Sequence, residues 1–375
     1  MIYMDNAATT RPDRECLEKA QKYILDSFYN PSALYAEGYK INLEIQEAKK
    51  RILALIPGSG SFSITFTSCG TESDNQAIFC GGKRGNVVTT MGEHSAVYNS
   101  ASELRNRGIE PRFAALNPDG SVNTEDLLSL VDDKTSLVSV IHVNNETGAI
   151  NDIASIARKV KARNPHTLFH ADGVQAFGKI PFSLTKDIDM YSLSAHKIGA
   201  MKGTGALIKR QDLVIKPYIY GGGQEKGLRS GTENVFGIKL LQFAAEKRYA
   251  HLQDNFRAVK AVREHLTGLL DKDLFEVVSG PDSSPYILCI IAKKVRGETI
   301  LHEADDKGLI IGTGSACSSN DKKRYSRVIL ACGIDKDRAD GILRLSFSPE
   351  TTMQEAEKAA EILNETVSER IKHME

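Results

Sequence analysis

Hydrophobic and polar positions change their period several times along the chain, and the changes predict strands alternating with helices. Residues 61–67 (SFSITFT) alternate apolar and polar side chains as a half-buried strand does, and a helical pattern then runs to Cys80. Further strands are predicted at 87–90, 136–143 and 167–171, with helices at 96–106 and 153–162. This alternation predicts a parallel sheet with right-handed crossovers, whose active-site loops follow the carboxyl ends of the strands.

The N-terminal and C-terminal parts follow different patterns. A short strand at 2–4 is followed by a helix from Arg11 to about Phe28, and Ser32 is a candidate cap for a helix over about 33–55. Short strands are predicted at 190–193 and 205–208, and a long helical pattern runs from Val235 to about Leu270. Beyond it, shorter elements alternate as in a small α+β domain. We therefore predict an α/β protein with a large domain over 13–255 and a small domain formed by 1–12 and 256–375.

Composition and charge narrow the function classes. The chain has 48 Lys and Arg against 48 Asp and Glu, so its zero formal charge favours neither nucleic acid nor an anionic membrane as a partner. No apolar run approaches the roughly 18 residues of a membrane span, and residues 1–5 show no signal-peptide core, so we expect a cytoplasmic location. Six cysteines lie far apart, which argues against a disulfide framework or a cysteine-based zinc site.

The segment Ser194-Ala195-His196-Lys197 is the centre of the chemical interpretation. An apolar run ends at Lys197, and a glycine-rich loop follows over 199–205. A lysine placed there can form a Schiff base with a carbonyl cofactor, although an isolated motif of this kind is more often an exposed loop lysine. Asp172 ends a strand 25 residues earlier, so the two side chains can face one site. The Asp172 carboxylate could pair with a protonated pyridine nitrogen, or it only caps a helix.

Other strand ends carry polar residues with two interpretations each. Gly70 and Thr71 open a helix and suit a phosphate, or they only cap that helix. His94 can stack on an aromatic ring or shuttle a proton, or it is a solvated loop histidine. Asn145 can orient a carboxylate, or it belongs to an Asx turn.

Three further features lie towards the C-terminus. The loop 221–232 (GGGQEKGLRSGT) suits a backbone that closely approaches an anion or another subunit. Cys317 lies in a loop of small residues, and the following cations Lys322, Lys323 and Arg324 would raise its thiolate fraction, or it is an incidental thiol. Arg344 in an apolar strand suits a bidentate clamp on a carboxylate, or a structural ion pair.

Together these motifs resemble one family, the cysteine desulfurases (NifS/IscS-like) of the class V pyridoxal-phosphate-dependent aminotransferase superfamily, which have fold type I. The ordered match spans residues 2 to about 350. The strings that carry it are DNAATT (5–10), NPS (30–32), CGTESDN (69–75), EH (93–94), HVNNETG (142–148), HADGVQ (170–175), SAHK (194–197), GGGQEKGLRSGT (221–232), GSAC (314–317) and RLS (344–346).

The resemblance implies a role for each candidate residue and pyridoxal 5'-phosphate as the cofactor. Lys197 would bind it covalently, and His94 would stack on its ring and act as an acid or base. Cys317 would attack the sulfur of bound L-cysteine. The remaining implied roles are the ring nitrogen for Asp172, the ring hydroxyl for Gln175, the phosphate for Gly70, Thr71, Ser194, His196 and the neighbouring subunit's Thr232, and the substrate carboxylate for Asn145 and Arg344.

The implied reaction converts L-cysteine to L-alanine and leaves a persulfide on Cys317. A sulfur-acceptor protein, such as an iron–sulfur scaffold or a tRNA-thiolation enzyme, would collect the sulfur. The role of Thr232 implies a homodimer. A selenocysteine lyase, another class V enzyme and a non-catalytic scaffold are the alternatives, and the retention of Lys197, Asp172, His94 and Cys317 argues against the scaffold.

The chain departs from the family pattern after the cysteine and after the arginine. Residues 320–325 read NDKKRY where housekeeping members usually have a Leu-Glu-Pro-Ser type segment, which leaves the acceptor open. Phe347-Ser348-Pro349 replaces the frequent Gly-Arg after RLS. The chain lacks the Arg-x-Gly-His-His-Cys pattern of the short-loop branch, so the resemblance places it in the long-loop branch.

Overall fold

The computed structural model describes residues 1–314 and 325–374 of the chain. The strands in these ranges are β1 (Ile2–Tyr3), β2 (Phe62–Thr67), β3 (Asn86–Thr90), β4 (Glu110–Ala114), β5 (Thr135–Ile141), β6 (Leu168–Asp172), β7 (Met190–Ser194), β8 (Gly205–Arg210), β9 (Phe275–Val277), β10 (Ile287–Ala292), β11 (Leu309–Ile310) and β12 (Ile342–Ser346). The helices are α1 (Arg14–Ala20), α2 (Lys22–Leu25), α3 (Ala36–Ala54), α4 (Gly70–Gly81), α5 (Ser95–Glu103), α6 (Thr124–Ser129), α7 (Ile153–Arg163), α8 (Val235–Ala250), α9 (Leu252–Leu269), α10 (Gly297–Asp306), α11 (Arg327–Ala331), α12 (Lys336–Ala339) and α13 (Met353–Met374).

A seven-stranded sheet in the order β2-β8-β7-β6-β5-β3-β4 forms the central layer. The neighbours from β7 through β6, β5 and β3 to β4 are parallel, whereas β8 runs antiparallel to both β7 and β2. The α/β prediction with a mainly parallel sheet is therefore confirmed. Its inner strands β5 and β7 are buried almost throughout, as parallel sheets covered by helices require.

A smaller antiparallel sheet in the order β12-β10-β9 lies in the C-terminal part. Helices α9 and α13 pack against each other, and buried apolar residues from both helices and from β10 and β12 share one core cluster. The N-terminal strand β1 pairs in parallel with β11, so the first residues of the chain adjoin its last third. The division at residue 255 itself stays a prediction.

Several elements differ from the sequence-based expectations. The long helical pattern is divided into α8 and α9 at His251, whose backbone (φ −119°, ψ 20°) is not helical. The helix expected to about Phe28 consists of α1 and α2 and ends at Leu25. Helix α3 begins at Ala36 with Tyr35 at its N-cap, so the cap expected at Ser32 was wrong. Strand β4 and helices α6 and α12 were not predicted, because they are short and largely polar.

Three observations concern membrane spans, metal sites and cysteines. None of the helices within 1–314 and 325–374 is long and apolar enough to cross a membrane. Over the same residues, no group of three or more His, Cys, Asp or Glu side chains is arranged to hold a metal ion. Of the described cysteines, Cys16, Cys80, Cys289 and Cys332 are buried, and burial raises the pKa of each thiol. These four behave as small buried apolar residues.

Candidate active site

A cavity of about 270 Å³ lies at the carboxyl ends of β6 and β7, where α4 begins. This is the edge of the sheet at which the parallel strands were expected to present their site. The predicted site residues that line it are Gly70, Thr71, His94, Asn145, Asp172, Gln175, Ser194, His196, Lys197 and Arg344. Cys317 falls outside the described residues, and Thr232 lies elsewhere.

Lys197 is delivered to the cavity by a single turn that follows β7. Its Nζ donates to the backbone carbonyl oxygens of Ala7 and Ala8, at 2.5 and 2.8 Å. The same N-terminal segment is fixed to the lysine turn by the Thr10 hydroxyl, which donates to the carbonyl oxygen of His196 at 2.8 Å. Residues 7–10 therefore form one wall of the site and hold the lysine amine.

Asp172 is the last residue of β6 and is almost fully buried. Its Oδ1 accepts a hydrogen bond from the backbone N–H of Val174 at 2.9 Å. Burial raises the pKa of this carboxyl to about 6, although that bond and the charge of Lys197 act in the opposite direction. A positive charge beside Asp172 would relieve this cost, as a protonated pyridine nitrogen does.

The start of α4 forms an anion-binding end of the cavity. Gly70 and Thr71 lie in its first turn, where backbone N–H groups have no partner within the helix. Ser194 Oγ is buried and has no hydrogen-bond partner among the described residues. A Cβ on Gly70 would lie 2.8 Å from Val174 Cγ2 and 3.2 Å from Ser194 Cβ, so this close approach requires glycine. The arrangement fits a phosphate.

His94 is the N-cap residue of α5, and its Nδ1 accepts from the backbone N–H of Ala96 at 3.2 Å. With Nδ1 acting as the acceptor, the proton of the neutral ring lies on Nε2. Burial and the charges of Lys197, Arg327 and Arg344 lower its pKa to about 4. His94 is thus neutral at physiological pH, and it is not a solvated loop histidine.

Arg344 lies on β12 of the smaller sheet and also lines the cavity. Its Nη2 pairs with Asp5 Oδ1 at 2.8 Å, and its Nη1 donates to the carbonyl oxygen of Asn145 at 3.0 Å. Among the described residues, neither its buried Nε nor the Oδ1 of Asn145 has a hydrogen-bond partner. The structural ion pair considered from the sequence therefore exists, beside a buried Nε that has no hydrogen-bond partner among those residues.

The sequence analysis gave no role to three acids around the cavity. Asp74 lines it, and burial followed by the charge of Asp172 raises its pKa. Glu93 accepts from Thr90 Oγ1 at 2.7 Å, and burial raises its pKa to about 8. Burial also raises the pKa of Glu146. The sequence offers one indication for Asp74. It lies four residues from both Gly70 and Ile78, which places it on the same face of α4 as Gly70.

The described residues on either side of 315–324 lie beside these acids. Ser326 Oγ donates to Glu146 Oε2 at 2.5 Å, and a Cβ on Gly314 would lie 2.8 Å from the same oxygen. The Arg327 guanidinium donates to the carbonyl oxygen of Glu93 at 2.5 Å and also to that of Met91. Gly314 and Ser326 therefore lie beside Glu146, and Arg327 beside Glu93; each of these acids is one position from a residue that lines the cavity.

Thr232 is exposed and lies in a separate groove of about 110 Å³, with Arg229 and Asn234 among the lining residues. The Arg229 guanidinium pairs with Glu72 Oε1 at 2.9 Å, which fixes this loop to the first turn of α4. The structure therefore does not place Thr232 in its own chain's cavity.

Comparison with known proteins gives concordant results. The family description Aminotransferase class-V matches residues 2–358. The chain is 35% identical to a cysteine desulfurase of Trichormus azollae over 98% of its own length and 93% of that protein. It is 35% identical to the cysteine desulfurase NifS of Azotobacter vinelandii over 95% and 90%. A solved NifS-like protein superposes with a TM-score of 0.91 at 32% identity, over 98% of this chain and 99% of that one.

Proposed function

The chain belongs to the class V aminotransferase family and to its cysteine desulfurases. From that membership we propose that it converts L-cysteine to L-alanine with pyridoxal 5'-phosphate held in the cavity, and that Cys317 receives the sulfur. The observation that carries the proposal is the convergence of Lys197, Asp172 and the start of α4 on one cavity. A selenocysteine lyase is not favoured by any feature of the site.

The residues of the cavity fit this cofactor. Asp172 would pair with the ring nitrogen, because burial raises the pKa of this carboxyl despite the charge of Lys197, and a second cation beside it would stabilise its ionised form. Ser194 Oγ, unpaired among the described residues, would join the N–H groups of Gly70 and Thr71 at the phosphate. Lys197 would bind the aldehyde carbon, with His196 and Thr71 near the phosphate and His94 over the ring.

When bound, the cofactor supplies an electron sink for charge that develops at the substrate Cα. Arg344 Nε and the Asn145 amide orient the substrate carboxylate. The Lys197 amine takes the proton from Cα, and the neutral His94 ring holds a proton at Nε2. The Cys317 thiolate attacks the substrate Sγ; an S–S bond forms, the Sγ–Cβ bond breaks, and its electron pair stays with the carbon fragment that becomes alanine.

We further propose a homodimer in which Thr232 reaches the phosphate of the neighbouring subunit. Its exposure and its distance from its own cavity support this assignment. An exposed aromatic group supports a protein interface, since Phe28 and Tyr29 stack at 4.7 Å and Tyr29 meets Tyr35 edge to face. A sulfur-acceptor protein, either an iron–sulfur scaffold or a tRNA-thiolation enzyme, would then discharge Cys317.

We also propose that the chain divides into a large unit (13–255) and a small unit (1–12 and 256–375). The break at His251 between α8 and α9 and the pairing of β1 with β11 support this division. It would let Arg344, on the small unit, move relative to Lys197.

The experiment loads the purified protein with pyridoxal 5'-phosphate, supplies L-cysteine with a thiol reductant, and measures alanine and sulfide. We expect equal amounts of both from the wild type and none from Lys197→Ala. Exposed Lys202, five residues away, provides the matched control, and Lys202→Ala should keep the activity. A wild type that develops no visible absorbance with the cofactor would reject the cofactor assignment.

A second set of variants tests the sulfur route. Cys317→Ala should form both alanine and sulfide more slowly than the wild type, because the thiolate that accepts the sulfur is missing. Cys69 is the one described cysteine that is not buried, and it lies at the cavity. Cys69→Ala should still form the persulfide on Cys317. Undiminished turnover in Cys317→Ala would reject the persulfide route.

A further inference from the structure

A buried lysine next to the site has no part in the reaction described above. Lys179 is 5% exposed and lies on the turn that follows β6, four residues after Gln175. Its Nζ donates to Gln175 Oε1 at 2.8 Å and lies 5.9 Å from the centre of the Tyr286 ring. A buried lysine costs free energy unless its contacts offset the lost hydration, so its presence here requires an explanation.

The contacts of Gln175 determine which way its side-chain amide points. Its Nε2 donates at 2.8 Å to the carbonyl oxygen of Ala7, which can only accept. Its Oε1 then faces Lys179, whose amine donates a hydrogen in either protonation state. Both ends of the amide are therefore assigned by their neighbours. Among the residues that the structure describes, the second N–H of Nε2 has no acceptor, and Gln175 lines the cavity.

We propose that Lys179 is a positioning residue that locks the Gln175 amide so that an N–H, and never the carbonyl oxygen, faces the ring oxygen of the bound cofactor. The inference rests on the proposed function and concerns the same site. Without the Lys179 donor, Oε1 would be buried without a partner, and only the bond from Nε2 to Ala7 would oppose a rotation of the amide that turns Oε1 towards the cavity. The ring oxygen would then meet an acceptor in place of a donor.

The charges around Lys179 support a role in orientation and not in ion pairing. Burial, followed by the charges of Lys197, Arg248 and Arg344, lowers its pKa. Arg248 pairs with Glu350 at 3.2 Å, so this carboxylate is already engaged. Among the described residues no carboxylate forms an ion pair with Lys179, and its one side-chain hydrogen bond is to Gln175.

The test follows the visible absorbance of the loaded holoenzyme as the pH is varied. A hydrogen-bond donor at the ring oxygen stabilises its deprotonated form, so losing the donor makes the chromophore keep its proton to higher pH. We expect Lys179→Met to raise the midpoint by about one pH unit, about a tenfold change in the proton equilibrium. In a Gln175→Met background, Lys179→Met should add no further shift, because the residue acts through Gln175.

Two controls separate positioning from a general loss of structure. Lys239 is another buried lysine, paired with Glu44 at 2.9 Å, and it does not line the cavity. Lys239→Met should lower the thermal midpoint of unfolding and leave the absorbance midpoint unchanged. Lys179→Arg keeps N–H donors and should retain the wild-type midpoint, which keeps the proposal testable if Lys179→Met does not fold.

Three results would overturn the proposal: an unshifted midpoint in Lys179→Met, additive shifts in the double variant, or a shifted midpoint in Lys179→Arg. Failure of the proposed function gives a different result. In that case the wild type itself shows no visible absorbance after loading with pyridoxal 5'-phosphate, and no midpoint can be measured for any variant.

Discussion

Replacing Asp172 by Asn should stabilise the cofactor-free protein while impairing its chemistry. The carboxyl is buried, and its pKa is raised to about 6 from an ordinary value of 3.8. An acid whose pKa is raised by folding contributes stability below its unfolded pKa and loses it as the pH rises through the folded pKa. The isosteric Asn keeps an oxygen for the N–H of Val174 and carries no charge.

The magnitude follows from these two values. At pH 8 the ionised carboxylate destabilises the cofactor-free fold by about 3 kcal/mol relative to a neutral group, and at pH 5 by about half as much. With an unfolding entropy of about 2.1 cal/mol/K per residue, 3 kcal/mol corresponds to a thermal midpoint roughly 4 °C higher for a chain of this length. The wild type would recover this free energy when a cation binds beside Asp172.

The assay is thermal unfolding of cofactor-free wild type and Asp172→Asn between pH 5 and pH 8. We expect the variant to have the higher midpoint, with a gap that widens as the pH rises. Added pyridoxal 5'-phosphate should then raise the wild-type midpoint more than that of the variant. A variant midpoint equal to or below the wild type at pH 8, or a gap that does not change with pH, would refute the argument.

Substitutions at three further positions test other parts of the site. Arg344→Lys should raise the KM for L-cysteine about tenfold or more with a smaller change in kcat, because lysine has no donor at the position of Nε and a charge-assisted contact worth about 1.5–3 kcal/mol is lost; an unchanged KM in steady-state kinetics would contradict this. Gly70→Ala should weaken cofactor binding, measured by fluorescence titration, since the new Cβ would lie 2.8 Å from Val174 Cγ2; unaltered affinity would show that the close approach is not needed. Burial raises the pKa of Glu146, so Glu146→Gln should keep or raise the thermal midpoint of unfolding at pH 8. Glu146→Ala should lower the free energy of unfolding by about 1–3 kcal/mol, because Ser326 Oγ loses its acceptor.

The sequence predicts the framework of this site well because its elements have strong local signals. The strands that end at Asp172 and Ser194 are apolar, and the helix after Gly70 begins where the strand pattern stops. Parallel order then brings these strand ends to one edge. The ordered set of motifs indicated the family that matches residues 2–358, which no single motif could have established.

The contacts that lock the site were beyond sequence reasoning. The carbonyl oxygens of Ala7 and Ala8 hold Lys197 across 190 and 189 positions of the chain, and such pairings leave no local pattern. From the sequence alone, an acid such as Glu93 is expected at the surface. Its burial depends on the residues that pack around it in the folded chain. The ion pair between Arg344 and Asp5 is of the same kind.

The most direct test of the central claim is the fate of the substrate sulfur. The holoenzyme is mixed with one equivalent of sulfur-labelled L-cysteine without reductant, digested, and each cysteine-containing peptide is examined by mass spectrometry. The account predicts one added labelled sulfur atom on the peptide that contains Cys317, with alanine formed in equal amount. Alanine formed with label on another cysteine, or with no label on the protein, would contradict it.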